Sequence, residues 1–125
     1  MDYSVVDPDD LEPVDGRPCD LRRLSEAAGL DNVAINRFDA EPGEQLPLAY
    51  HSHETQEEAF VVLSGTLHVE TPAEEFTVPA GSMFAVQPEA PQRAYNPEDA
   101  ADSVSVVAIG APPVDGDAVP YDPDE

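Results

Sequence analysis

Residues 51–65 read His51-Ser52-His53-Glu54-Thr55-Gln56-Glu57-Glu58-Ala59-Phe60-Val61-Val62-Leu63-Ser64-Gly65. Two of the chain's three histidines stand two positions apart in this stretch. On an extended strand, residues i and i+2 point to the same face. His51 and His53 can therefore aim two imidazoles at one point. Glu58 opens the apolar run that follows and can bring a carboxylate oxygen from an adjacent strand. Two histidines and one carboxylate with open positions form the facial donor set of non-haem iron and related divalent-metal sites. Glu57 competes for the carboxylate place but is expected on the outward, solvated face.

Downstream, Glu58–Leu63 and Thr66–Glu70 are two β-rich runs separated by Ser64-Gly65, which predicts a two-residue hairpin turn. In that register Val62 faces Leu67, Phe60 faces Val69 and Val61 faces His68. Glu58, Phe60, Val62, Leu67 and Val69 then share the inner face, and His68 falls on the outer face as a poor ligand. Further strands are predicted over 75–79, 83–87, 93–96 and 103–109, with a turn at Ala80-Gly81. Upstream, 32–38 alternates as a strand, Pro42-Gly43 turns, and 46–53 is extended, with Pro47 demoting its start to an edge or bulge. Asp20 is expected to N-cap a short helix through Leu21, Leu24 and Ala28 that stops at Gly29. Residues 1 to about 17 read as a loosely held acidic arm, and 111–125 as an irregular acidic tail. The organisation expected is an N-terminal arm with a short helix over 1–31, a barrel over 32–110, and a tail over 111–125 packed on or beside it. Many short strands with Gly and Pro turns predict an all-β jelly roll or barrel of six to eight strands.

Charge narrows the function classes. The 125 residues carry 27 acids against five arginines and no lysine, a formal net charge of −22. Such a surface repels phosphates and so excludes DNA, RNA and anionic membrane as partners. Disorder is the alternative for so acidic a chain, but the apolar alternation of its middle calls for a core. An acidic surface without lysine is instead expected of a protein adapted to high salt, where charge is screened. No run of eighteen apolar residues is present, and the opening MDYSVVDPDDLEP is acidic where a signal peptide would be basic and then apolar. A soluble, cytoplasmic protein is expected. Cys19 is the only cysteine, so no internal disulfide forms, and an inert thiol is expected.

The residues resemble the cupin family. Its first motif is a glycine, H-x-H, a glutamate separated by three or four residues, and a glycine seven further on. His51, His53, Glu58 and Gly65 match it; Gly43 lies two residues further from His51 than the family's glycine does. Anchoring the second motif on Gly81 and Asn96 places Gln87 at its proline, Glu89 at its second glycine and Gln92 at its histidine. Anchoring on Pro88 places Arg93 at the histidine instead. The resemblance spans roughly 32–109. It implies a cupin-type β-barrel and, by analogy with small cupins, a homodimer. It also implies a divalent transition metal (manganese, iron, nickel or zinc) held by His51, His53 and Glu58, with Gln92 as fourth donor. A small organic molecule is the expected partner. As a metal-dependent enzyme the chain would be, for example, a dioxygenase or an isomerase. The alternative is a non-catalytic ligand-binding cupin whose metal site is degenerate or empty.

Four further residues carry competing expectations. Arg93 either clamps a carboxylate substrate or pairs with a surface acid. Tyr95, Phe60 and Phe84 either line a ligand cavity or fill the core.

Overall fold

The computed structural model describes residues 2–114 and 116–124. After a 3-10 turn at Pro8–Asp10, the elements are β1 (Asp20–Arg23), α1 (Leu24–Ala28), β2 (Ala34–Ala40), β3 (His51–His53), β4 (Glu57–Ser64) and β5 (Thr66–Glu70). They continue with β6 (Glu75–Pro79), β7 (Met83–Val86), β8 (Arg93–Tyr95), β9 (Val104–Ala111) and β10 (Ala118–Pro120). A five-stranded sheet runs β1-β2-β9-β4-β7, a three-stranded sheet β6-β5-β8, and a two-stranded ribbon β10-β3. All pairings are antiparallel. This is the all-β jelly-roll architecture expected from the sequence, with a helix of five residues near the N-terminus. It has ten strands among the described residues rather than six to eight, because short edge strands at Asp20–Arg23 and Ala118–Pro120 add to the barrel.

The core lies between the larger and the smaller sheet. Phe38, Phe60, Val62, Val104, Val106 and Ala108 face Leu67, Val69, Val78 and Ala94, and all are buried. Burying a Val or Leu side chain contributes about 1.5–3 kcal/mol, so these residues hold the two sheets together. The strand β9 lies between β2 and β4 and is buried at five of its first seven positions beyond simple alternation. Its near-continuous apolar run, Val104 to Ile109, reflects that central position.

Four expectations change. Asp20 does not cap a helix: Asp20–Arg23 is a strand paired with Asn36–Asp39, and α1 begins only at Leu24. Leu21 is buried in the core from that strand, and the ladder outweighs the capping preference. Gly29 does end the helix, at φ 71. The predicted hairpin between β4 and β5 is absent, because the two strands belong to different sheets. The chain turns a corner at Gly65, whose φ is 74; a Cβ there would sit 2.3 Å from the Ser103 carbonyl oxygen. The inner-face alternation survives the corner, since Phe60, Val62, Leu67 and Val69 are all buried. The tail is likewise not wholly irregular: β10 pairs with β3, placing Ala118 opposite His53 and Pro120 opposite His51. The arm is tied down too, by the Val14 N–H donating to the Leu21 carbonyl and by buried Cys19.

Candidate metal centre

The ribbon strand β3 presents both histidines to one cavity. His51 is pinned on its second edge as well: its N–H donates to the Gln92 carbonyl at 3.2 Å, and the Gln92 N–H returns to the His51 carbonyl at 2.9 Å. Glu58 comes from the start of β4, one strand of the larger sheet. The sequence spacing therefore becomes convergence through three separate pairings.

The Nε2 atoms of His51 and His53 stand 3.1 Å apart, and His53 Nε2 lies 3.8 Å from Glu58 Oε1. One donor atom from each of the three residues falls within 4.8 Å of the others. Two nitrogens about 3 Å apart is the separation expected when both bind one ion at about 2.1 Å and at right angles. His51 Nδ1 donates to the Ala49 carbonyl at 2.9 Å, which leaves the lone pair on Nε2. His53 turns Nδ1 toward Asp117 Oδ2, 3.6 Å away, and Nε2 toward the cavity.

Electrostatics favour neutral imidazoles and leave the carboxyl without a counter-charge. Burial lowers the pKa of His51 against the raising effect of its bond to Ala49, and the Arg17 charge lowers it further. Burial and the neighbouring His51 lower that of His53, while Asp117 raises it. Burial pushes the Glu58 carboxyl up to about 7. Neutral imidazoles and a carboxylate are the forms that ligate a divalent ion.

Gln92 is 2% exposed, and its Nε2 donates to Glu58 Oε1 at 3.3 Å. Its Oε1 is buried without a hydrogen-bond partner. Such an orphaned oxygen costs about 1–3 kcal/mol, and beside three ligand-type groups it suits a hard cation or a bound water. The donor set thus fits a divalent metal. Arg93 points elsewhere. It binds Glu70 at 2.8 Å and Gln45 Oε1 at 3.1 Å and lies over the Tyr95 ring. Gln92, from the anchoring on Gly81 and Asn96, is thus the residue beside Glu58. In the same alignment Glu89 takes the glycine place, and it adopts φ 69. Buried Asn96 donates to the Ala40 and Asp102 carbonyls and ties the loop after β8 to the end of β2.

A cavity of about 430 Å³ opens over the three groups, walled by Leu21, Phe38, Leu46 and Phe60 and bordered by Arg17 and Gln92. Of the three aromatics considered from sequence, Phe60 lines it. Phe84 packs on Phe76, and Tyr95 on His68. Glu57 is exposed, and His68 pairs opposite Thr77 and Tyr95 in the smaller sheet, away from the cavity.

Asp117 was not singled out from the sequence. It is 5% exposed and accepts hydrogen bonds from the Thr55 N–H and hydroxyl and from the Gln56 N–H, at 3.0–3.1 Å. Burial acts to raise its pKa, but these bonds, with His53, outweigh it and hold the carboxyl below its usual range. Nothing local marks it among the five acids of the tail; only the β10–β3 pairing brings it to the histidines. Among the described residues, no helix is long and apolar enough to cross a membrane.

A search of curated proteins finds no match. Solved structures do match. A sugar phosphate isomerase of the cupin superfamily from Silicibacter pomeroyi superposes with TM-score 0.73 at 23% identity, over 86% of this chain and 75% of that one. A cupin protein from Bacteroides fragilis gives 0.69 at 18% identity, over 98% and 92%. A sugar phosphate isomerase candidate from Acidithiobacillus ferrooxidans gives 0.66 at 24%, over 74% of this chain but only 58% of its own. At these identities the likeness is one of fold. The family model of the cupin domain matches residues 36–109, more than half of the sequence, from within β2 to within β9. The chain belongs to the cupin family.

Proposed function

We propose that this cupin binds one divalent transition metal through His51, His53 and Glu58, with Gln92 as a neutral fourth donor, and that it acts on a small organic molecule in the cavity above them. The observation that carries the reading is the 3.1 Å approach of the two histidine Nε2 atoms beside Glu58. Two lone pairs so close repel each other unless a proton or a cation lies between them. When bound, the metal supplies Lewis acidity toward a carbonyl, hydroxyl or water oxygen.

The remaining roles belong to the chain itself. The Ala49 carbonyl holds the His51 tautomer, and Asp117 faces the outer nitrogen of His53. Gln92 donates from Nε2 to the Glu58 carboxylate, and its Oε1, buried without a partner, is the atom a cation would take up. The apolar walls limit water around the ligand.

Elemental mass spectrometry tests this on tag-free protein purified in high salt, beside an H51A/H53A variant. The expected result is ~1 ion per chain in the parent and none in the variant. No metal in either, even after loading with iron or manganese, overturns the reading. Imidazole is a better transition-metal donor than an amide, so Q92H should tighten binding roughly tenfold.

A second reading has its own support. The residue beside Glu58 is an amide whose N–H faces the carboxylate, which suits a binding module without turnover. Metal-loaded protein that binds small molecules but transforms none of a substrate panel would select it.

A further inference from the structure

Four of the five arginines are neutralised by acids: Arg22 by Asp20 at 3.0 Å, Arg23 by Glu26 at 4.0 Å, Arg37 by Asp39 at 3.2 Å and Arg93 by Glu70 at 2.8 Å. Among the described residues, Arg17 alone has no carboxylate partner, in a chain with 27 acids. A guanidinium carries five N–H donors. Arg17 uses one, from Nη2 to the Leu46 carbonyl at 3.4 Å, and its Nε is sealed from water with no acceptor. Nearby Cys19 offers no counter-charge, because burial pushes its thiol up to about 12 and keeps it neutral. An unpaired, partly buried cation in so acidic a protein is costly to keep. It lines the same cavity as His51, Glu58 and Gln92.

We propose that Arg17 is the anion-binding residue of this cavity and that the ligand is a small organic monocarboxylate, its carboxylate on the Arg17 guanidinium and its apolar body against Phe38, Leu46 and Phe60. The proposal rests on the cavity being the ligand site but not on the metal being present. Guanidinium and carboxylate match in shape and form paired, charge-assisted hydrogen bonds. One charge is what the site can balance. Arg23, the other arginine on the cavity, is already paired, and a dianionic phosphate ester would add unneutralised charge to a chain at −22. The N-terminal arm, through Arg17, then becomes part of the binding site rather than a loose extension.

Benzoate is a suitable probe, with benzamide as its neutral counterpart and phenyl phosphate as the dianion. Titration calorimetry on chelator-treated full-length protein in potassium chloride should show benzoate binding roughly tenfold or more tighter than benzamide. The Arg17 Nε–H resonance should shift as benzoate is added. R17Q should lose benzoate affinity by a similar factor, R17K should retain only part of it, and R37Q, the same charge change at an arginine outside the cavity, should leave it unaltered. The resonance shift in the parent protein decides the matter even where R17Q fails to fold. Equal affinity for benzoate and benzamide, a motionless Arg17 signal, or undiminished binding in folded R17Q overturns the proposal. Tighter, Arg17-dependent binding of phenyl phosphate overturns the monocarboxylate assignment in favour of a phosphate ester. Because metal content is measured separately, a metal-replete protein that ignores benzoate would reject Arg17's role while leaving the metal centre standing.

Discussion

The carboxylate of Asp117, from the chain's last turn before β10, lies 3.6 Å from Nδ1 of His53. The same carboxylate gathers the Thr55 and Gln56 N–H groups and so ties the segment between β3 and β4 to the tail. At 3.6 Å the carboxylate lies beyond hydrogen-bond distance and acts on His53 through its charge, which favours the ring as a cation-facing donor. Loss of a carboxylate behind a ligand histidine typically costs tenfold to about a hundredfold in metal affinity. D117N keeps one acceptor for the loop but removes the charge. It should weaken metal binding by at least roughly tenfold while thermal unfolding stays cooperative. Unchanged affinity in a competition titration would reduce Asp117 to a loop tie.

Glu58 makes the metal-free protein sensitive to pH in a defined direction. Burial raises its carboxyl from the ordinary 4.5 to about 7, so the folded state prefers the protonated acid. Its contribution is full below about pH 4.5 and is lost as pH rises through about 7, up to ~3 kcal/mol. His51 and His53 act in the opposite sense: their lowered pKa values favour folding above about 6.5 and cost stability as pH falls. Urea denaturation of parent and E58Q at about pH 5 and 7.5 separates the two, because E58Q removes only the carboxyl effect. A parent–E58Q difference independent of pH would show that Glu58 does not titrate there. Metal requires the carboxylate and so should bind more tightly as pH rises to neutrality.

Two backbone positions should respond oppositely to substitution. Gly65 combines a φ of 74 with a Cβ position 2.3 Å from the Ser103 oxygen and 3.0 Å from the Val104 Cα. G65A should cost ~3 kcal/mol from the left-handed strain and the collision together. Glu89 holds φ 69 with a full side chain, and its N–H donates to the His53 carbonyl at 2.6 Å. E89G relieves the strain and should stabilise by up to ~1 kcal/mol, less the extra freedom of glycine in the unfolded chain. Denaturation midpoints of the two variants check both signs.

Salt should stabilise the fold. With a net charge of −22, self-repulsion among carboxylates works against compaction, and counterions screen it. Raising potassium chloride from low to molar concentration should lift the melting temperature by roughly 5 °C or more. A melting temperature that does not move would remove the case for high-salt adaptation.

Part of this molecule is local and was legible in the residues. The period-2 alternation from His51 to Glu70 requires only that the chain be extended. It therefore correctly set the two histidines on one face and buried Phe60, Val62, Leu67 and Val69. Strand β6 fell where 75–79 suggested, because Pro79 and Gly81 punctuate the chain regardless of its surroundings. Pairing is another matter. Nothing in Ser64-Gly65 distinguishes a hairpin from a corner; the close approach of Ser103 and Val104 to Gly65 decides it. Asp20–Arg23 became a strand because β2 offered an open edge, although its local residues favoured a helix start.

The site divides along the same line. The spacing of His51, His53 and Glu58 determined which groups could meet, and β-pairing with Gln92 and β10 decided that they do. Gln92 rather than Arg93 reaches Glu58 because alternate residues of an extended segment face opposite ways, and only the anchored strand fixes which way is inward. Asp117 and Arg17, one from each end of the chain, carry no motif and are neighbours of the centre only through tertiary contacts. The sequence determined the repertoire of donor atoms and the extended geometry that aims them. The tertiary structure alone decided their partners, because those contacts join segments that no local period relates.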